Sequence, residues 1–460
     1  MAIFKACDVR GVYGRELTDE IVYKIGRTLG TITGYNSVIV GGDVLLSTPM
    51  VKSAVIRGLT ESGADVIDIG TVPTPAFYFA RHHLGVDAGV MVTASHNPAE
   101  FNGLKIVLGS LPITREELLY IRQLTERGDF NKGAGNIYFI HILASYISFI
   151  QQSVTQVADA QKSNIVIDCG NGCYSELAPV IFRSFGYRVQ ELFCVPDGTF
   201  PNRSPNSAMA ENLVVLCRSV RDNGANFGAA FDGDGDRVAF IDDRGRFLSS
   251  DKVITILAGK SLSSNPGAKV VYDLKCSSVV PETVARDGGM PIPERSGHTF
   301  IKTRMIAEDA AFGGEISGHY FYKALWGGDD GLYSALLMAG ILASSGKRLS
   351  EIADSIPEYV TTPDIRVEFD GDREEIVAKL GEAYPEERIS RLDGVKITFP
   401  KGWGLARVSV TEPAITLRFE AETEADLKEI VGEFTISAKE IRKDVEIATD
   451  RFLKSRSTTK

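Results

Sequence analysis

Cysteine is scarce: six in 460 residues, with no Cys-x-x-Cys pair. Histidine is equally sparse, six in all and dispersed. Together these exclude a zinc pattern and a disulfide scaffold. Reduced thiols in a reducing compartment are the expected state. Basic residues are in deficit, 50 Lys and Arg against 60 Asp and Glu, for a net charge of -10. That excludes a protein that coats nucleic acid. An anionic ligand would need cations concentrated locally against this field. Long apolar runs are missing too. The most apolar stretch, "IYFIHILASYISFI" from Ile137, is too short and too polar to span a bilayer. It is expected to form a buried helix joining two domains. The N-terminus meets Asp8 and Arg10 too early for a signal peptide. The expectation is a cytoplasmic protein with neither nucleic-acid nor membrane partners, and nothing in the sequence reads out an oligomeric state.

What is present is a repeated unit. "SVIVGGDVLLSTPMVKSAVIRGLTESGADVIDIG" from Ser37, "NIVIDCGNGCYSELAPVIFRSFGYRVQELF" from Asn164 and "KVVYDLKCSSVVPETVARDGGMPIPERSG" from Lys269 share one grammar. Each opens with a β-branched run, a buried-strand signal. Each continues through a polar turn into a helix, as Ser47 before Thr48-Pro49 illustrates, and each helix stops at a glycine: Gly63, Gly186 or Gly288. A second extended run follows. Strand–helix–strand units imply parallel pairing in layered α/β domains, and three of them imply three related domains. From about Tyr359 the pattern changes to "DIRVEFDG" and "GVKITFPKGWGLARVSVTEPAITLRFEAET", which alternate apolar and polar residues. That predicts an antiparallel sheet with one solvated face, covered on the other by a helix over "TEADLKEIVGEF". The expected organisation is four domains, 1–142, 143–246, 247–357 and 358–460: three α/β domains with mixed sheets and a C-terminal α+β domain.

Ligands of such α/β sheets sit beyond the carboxyl ends of the strands, so the turns there carry the search. "VMVTASHNPAEFNGLKI" from Val90 places Ser95 beside His96 at the tip of a polar turn. It reads either as an exposed turn whose hydroxyl caps backbone amides or as a nucleophile held out for chemistry. "FGAAFDGDGDRVAFID" from Phe227 alternates Asp232, Asp234 and Asp236 with glycines after a strand. Three carboxylates in five residues repel one another, and a hard divalent cation, Mg²⁺ or Ca²⁺, relieves that. An EF-hand is excluded, because its glycine and glutamate positions hold Arg237 and Asp243. A haloacid-dehalogenase-type phosphatase and a solvated acidic turn are the other readings. "SGHTFIK" and "GGEISGHY" put His298, Glu315, Ser317 and His319 in glycine-rich turns. Such residues suit sugar hydroxyls or simply make turns. "RVSVTEPAITLRF" offers Arg407, Ser409, Thr411 and Arg418, an anion cradle or a plain strand with surface arginines. "AGKS" from Ala258 is no P-loop, since Ile254 stands where glycine is required.

Taken in order along nearly the whole chain, "TASHNP", "DGDGDR", "GEISGH" and "RVSVTEP" resemble the four loops of the α-D-phosphohexomutase superfamily, its phosphomannomutase/phosphoglucomutase branch in particular. The resemblance implies that Ser95 carries a transferable phosphoryl group and that Asp232, Asp234 and Asp236 hold Mg²⁺ against it. It implies that Glu315 and Ser317, with His319, bind the sugar, and that Arg407, Ser409 and Thr411, with Arg418, hold the distal phosphate. Arg10, His96, Lys105, Arg237, Lys275 and His298 fall at positions near the reacting groups. Lys275 and His298 are the expected proton carriers, and His96 is not read as the base, because such partners are placed by the fold rather than by adjacency. The implied reaction moves phosphate between O6 and O1 of a hexose through a hexose 1,6-bisphosphate, with phosphosugars as substrates and mannose and glucose both open. A phosphoglucosamine mutase and a silent sugar-phosphate binder are the alternatives. Ile316 leans away from the former, and the intact Ser95 and aspartates lean away from the latter. One departure stands out: Val410 occupies a position usually glycine or asparagine in the family, and valine resists positive φ.

Overall fold

The computed structural model describes residues 3–459 apart from 6, 35, 155–162 and 410–412. All three strand–helix–strand units form. They are Val38–Gly42, Thr48–Glu61 and Val66–Thr71; Asn164–Asp168, Ala178–Ser184 and Arg188–Leu192; and Lys269–Asp273, Val279–Arg286 and Met290–Glu294. In each the two strands pair in parallel. Gly63, Gly186 and Gly288 close the three helices at φ of 95°, 87° and 79°, a left-handed turn that glycine adopts without strain. The first helix departs from expectation at its other end. Ser47 sits at the cap but makes no capping bond; its hydroxyl accepts from Asn102, and Asp43 takes the Leu45 amide instead.

The likeness goes beyond the unit. In each domain a third strand lies parallel beside the first, and a fourth returns antiparallel to the third. The third and fourth strands are Ala88–Val92 and Phe101–Leu108, then Phe227–Phe231 and Val238–Asp242, then Phe312–Gly314 and Tyr320–Tyr322. Parallel and antiparallel pairs thus coexist in each sheet. The order second-first-third-fourth recurs in all three. The turns that join third to fourth strand hold Ser95, the three aspartates and the Glu315 loop. One architectural position, used three times, therefore presents three different sets of polar side chains.

The tail is antiparallel as expected, with Ile365–Glu368, Val395–Phe399, Gly402–Val408 and Ala414–Ala421 covered by the helix Glu424–Phe434. The stretch after Ile137 is not one buried helix. Ile137–Phe139 instead adds an exposed strand to the edge of the first sheet, parallel to Val66–Asp68, and only then does the helix Leu143–Ser153 begin. Serines and glutamines on that helix leave it one apolar stripe, so Tyr146 and Ile150 are buried and its other face is wet.

One apolar core runs from Phe77 and Met91 of the first domain through Tyr146 and Ile150 to Phe231 and Phe240 of the second and Phe312 and Leu336 of the third. The first domain has a further core of its own, around Val40, Val55 and Leu104, and the tail another, around Ile397, Leu417 and Phe434. Inside the shared core, Asp330 accepts from the hydroxyls of Tyr146 and Tyr174 at 2.6 and 2.8 Å, and burial pushes its carboxyl up to about 6. Among the described residues no helix is long and apolar enough to cross a membrane.

Candidate active site

Ser95 is not on an exposed turn. It is buried, at φ 56°, with its amide donating to Thr93 Oγ1 at 2.8 Å. The reason is the neighbouring turn: a Cβ on Gly233 would lie 2.5 Å from the Ser95 carbonyl, so only glycine lets the two turns pack this closely. The Ser95 hydroxyl donates to Asp232 Oδ2 at 3.3 Å and lies 3.4 Å from His96 Nδ1. Both contacts are long, which leaves the hydroxyl weakly held. His96 stays neutral, because Arg237 is close and the ring is buried. Arg10 reaches the same loop through Asn97 Oδ1 at 2.9 Å and is tethered by Asp8.

The three aspartates are buried, with one carboxylate oxygen from each within 4.8 Å of the others. Lys105 donates to Asp234 at 2.7 Å and to Asp236, and Thr74 donates to Asp234 at 2.6 Å. These contacts use the Oδ2 atoms alone. Oδ1 of Asp234 and Oδ1 of Asp236 are buried without a hydrogen-bond partner. Burial, together with Asp236 and Asp234, pushes the Asp232 carboxyl well up. Burial would raise Asp236 too, but Lys105, His319 and Arg237 hold it far below the usual range. Unsatisfied buried oxygens and mutual repulsion are what a hard divalent cation relieves, so this donor set fits one. Gly235 alone of the two glycines takes positive φ, 82°.

In the third loop Ser317 donates to Glu315 Oε1 at 2.8 Å, while the buried Glu315 Oε2 has no partner. His319, expected at the sugar, is buried with both ring nitrogens engaged: Nε2 accepts from Arg237 Nε at 2.8 Å and Nδ1 donates to Asp329 at 2.5 Å. Burial and Arg237 oppose protonation of this ring, but Asp236 and Asp329 draw its pKa up. In this arrangement its Nε2 fixes the position of the Arg237 guanidinium.

His298 stacks on His319 with centroids 5.6 Å apart. Burial lowers it to about 3, with His319 and Lys105 adding to the effect. The unfolded chain, near 6.5, therefore takes the proton first, and native stability falls as pH drops from about 6.5 toward 3. Urea denaturation of the natural protein and His298→Gln should show a difference that shifts steadily toward the variant below about pH 6.5 and is flat above it. A pH-independent difference would show that His298 titrates normally.

Cations of the third domain and the tail gather on carboxylates of the tail. Lys275 donates to Asp364 Oδ2 at 2.7 Å, Arg418 lies 3.6 Å from Asp364 Oδ1, and Arg407 donates to Asp393 at 2.9 Å. Nε of Arg407 and Nε of Arg418 are buried without partners. Thr411 and Val410 lie outside the described residues, and the Ser409 amide donates to the Ala414 carbonyl at 2.9 Å. Sequence reasoning missed Thr74, Asn97, Asp329, Asp364 and Asp393. Each is a polar residue whose partner appears only when the fold sets the two together.

The three hairpin turns therefore touch: the first meets the second through Ser95 and Asp232, and the second meets the third through Arg237 and His319, which also form a β-bridge. Compared with known proteins, the chain matches in succession the models of "Phosphoglucomutase/phosphomannomutase, alpha/beta/alpha domain I" over residues 1–132, of domain II over 144–245, of domain III over 249–359 and of the C-terminal domain over 365–437. It is 37% identical to a phosphomannomutase/phosphoglucomutase of Pseudomonas aeruginosa, covering 96% of each chain. It is also 37% identical to a phosphoglucomutase of Neisseria gonorrhoeae, covering 94% of this chain and 95% of that one. A crystal structure of a phosphoglucomutase/phosphomannomutase family protein from Burkholderia thailandensis superposes with a TM-score of 0.88 at 34% identity, covering 97% of each.

Proposed function

We propose, from the premise that this chain belongs to the phosphoglucomutase/phosphomannomutase family of α-D-phosphohexomutases, that Ser95 is the residue through which it moves phosphate. The chain is a phosphohexomutase that interconverts hexose 6-phosphate and hexose 1-phosphate. The observation that carries the Ser95 assignment is its weakly held hydroxyl 3.3 Å from Asp232, beside buried carboxylate oxygens with no partner of their own.

Asp232, Asp234 and Asp236 would hold the divalent cation, which we take to be Mg²⁺. Bound there, it supplies charge neutralisation for a phosphoryl group on Ser95. Arg237, aimed by His319, and Arg10, tethered by Asp8 and Asn97, bring fixed positive charge to the same loop. The phosphoryl group passes from Ser95 Oγ to a sugar hydroxyl, forming a hexose 1,6-bisphosphate as intermediate and activator. The bisphosphate turns over, and its other phosphate returns to Ser95. Lys105 stays protonated on Asp234 and Asp236, despite burial, and so acts as a cation in this state. His298 is neutral and accepts a proton only when phosphoryl charge stands beside it. Lys275, fixed on Asp364, joins the phosphate-holding cations in preference to carrying protons. Glu315 and Ser317 receive sugar hydroxyls, and Arg407 and Arg418, with Ser409 and Thr411, hold the distal phosphate.

Intact mass of the purified protein tests the assignment. One phosphate, mapped to Ser95 and discharged onto glucose 1-phosphate or mannose 1-phosphate, supports it; phosphate elsewhere overturns it.

Arg407 offers a separable test. Loss of its charge-assisted contacts should weaken phosphosugar binding by about 1.5–3 kcal/mol, roughly ten- to hundredfold. Arg407→Ala should therefore raise KM and release more bisphosphate, yet still accept phosphate onto Ser95 in a single turnover. An unchanged KM with no added leak would mark Arg407 as a partner of Asp393 only.

A further inference from the structure

Cys169 and Cys194 lie in the second domain, each just past the end of one of two neighbouring parallel strands, Asn164–Asp168 and Arg188–Leu192. Their sulfurs are 3.1 Å apart. The backbones that carry them are joined: the Cys169 amide donates to Leu192 O at 3.1 Å, and the Asn171 amide to Phe193 O at 2.8 Å. Cys169 is fully buried and Cys194 half-buried. Both cysteines are free thiols, and burial with the neighbouring Cys194 raises the Cys169 pKa. Closing a disulfide requires the sulfurs to approach by only about 1 Å, toward a bond of about 2.05 Å.

The turn that Cys169 begins is packed on the acidic loop. The Cys173 amide donates to the Gly233 carbonyl at 2.9 Å, and a Cβ on Gly172 would meet that oxygen at 2.6 Å. Arg203, paired with Asp168 at 2.9 Å, also donates to the Phe231 carbonyl at 2.7 Å, one residue before Asp232. A shift of the Cys169 turn therefore reaches the backbone that sets Asp232 and Asp234.

We propose that Cys169 and Cys194 are a redox modification site: a disulfide-class oxidant closes them into an intramolecular disulfide, and the closed form holds the acidic loop in a geometry that binds a divalent cation less tightly. The half-buried Cys194 sulfur, as thiolate, attacks one sulfur of glutathione disulfide and releases one glutathione. Cys169 then attacks the Cys194 sulfur and releases the second. The two protons lost by the cysteines end on the two glutathione thiols, so the protein loses two electrons and the oxidant gains them.

The experiment uses the full-length protein with glutathione disulfide as oxidant and dithiothreitol as reductant. The expected result is two fewer titratable thiols, a mass lower by two hydrogens and a cross-linked peptide pair containing Cys169 and Cys194. Mg²⁺ affinity by titration calorimetry should fall on the order of tenfold and recover on reduction. Cys194→Ser should keep its Mg²⁺ affinity under the same treatment. A persistent glutathione adduct, unreacted thiols, or a disulfide with unchanged Mg²⁺ affinity overturns the proposal. Thiol count and mass do not depend on the mutase reading, and reduced protein that takes up no Mg²⁺ would remove the metal coupling together with the metal assignment.

Discussion

Ser95→Ala should reduce mutase turnover to background, a loss on the order of 10³-fold or more, because the variant has no oxygen to carry the phosphoryl group between half-reactions. The fold should survive. The hydroxyl makes only two long contacts, at 3.3 and 3.4 Å, and the loop is fixed by the Ser95 amide on Thr93, which alanine retains. Stability should therefore move by less than about 1 kcal/mol. Two measurements separate the possibilities: conversion of mannose 1-phosphate and glucose 1-phosphate to their 6-phosphates with a trace of bisphosphate, and a urea melt. Full activity would end the phosphoserine assignment. Lost activity with a collapsed melt would mean that Ser95 matters to the loop and not to the chemistry.

Removing the divalent cation should be nearly as damaging. With chelator in excess, three buried carboxylates face a phosphoryl group with only Lys105, Arg237 and Arg10 to oppose them, and the rate should fall by about 10²–10⁴-fold. Mg²⁺ should restore it and Ca²⁺ should do so poorly, since Ca²⁺ prefers more ligands and longer bonds than three aspartates and a phosphoryl oxygen provide. Asp236→Asn should lower Mg²⁺ affinity and also loosen Lys105, which Asp236 shares with Asp234. Equal rates with either ion, or with chelator, would show that the acidic loop is structural and that Lys105 already neutralises it.

Much of this architecture was legible in the chain. β-branched runs, polar turns and helix-ending glycines are local signals, and the fold uses Gly63, Gly186 and Gly288 in the way their positions imply. The acidic loop was legible because its repulsion demands an explanation within a few residues. Equivalence of the three hairpin turns was not, since no residue is common to all three of "TASHNP", "DGDGDR" and "EISGH" to announce a shared position. His319 shows the other limit. In a glycine-rich turn it resembles a ligand contact, and only Asp329, ten residues on, and Arg237, in another domain, turn it into a support. Ser95 likewise looks exposed until Gly233 brings the second turn against it. The edge strand at Ile137 was hidden because a three-residue apolar run carries no period of its own.

The unbroken core has a consequence for how the chain tolerates rearrangement. Three copies of one topology suggest interchangeable modules, but Phe77, Tyr146, Phe231 and Phe312 belong to one buried cluster, and Asp330 of the third domain is satisfied by tyrosines of the connecting helix and the second. Excising or exchanging the second domain would open apolar faces on both of its neighbours and leave the buried Asp330 carboxylate without its two tyrosines. The shared cluster therefore locks the three repeats together, while the first domain and the tail each keep a further core of their own, so a partial opening that spares the shared cluster would begin at one of these two ends.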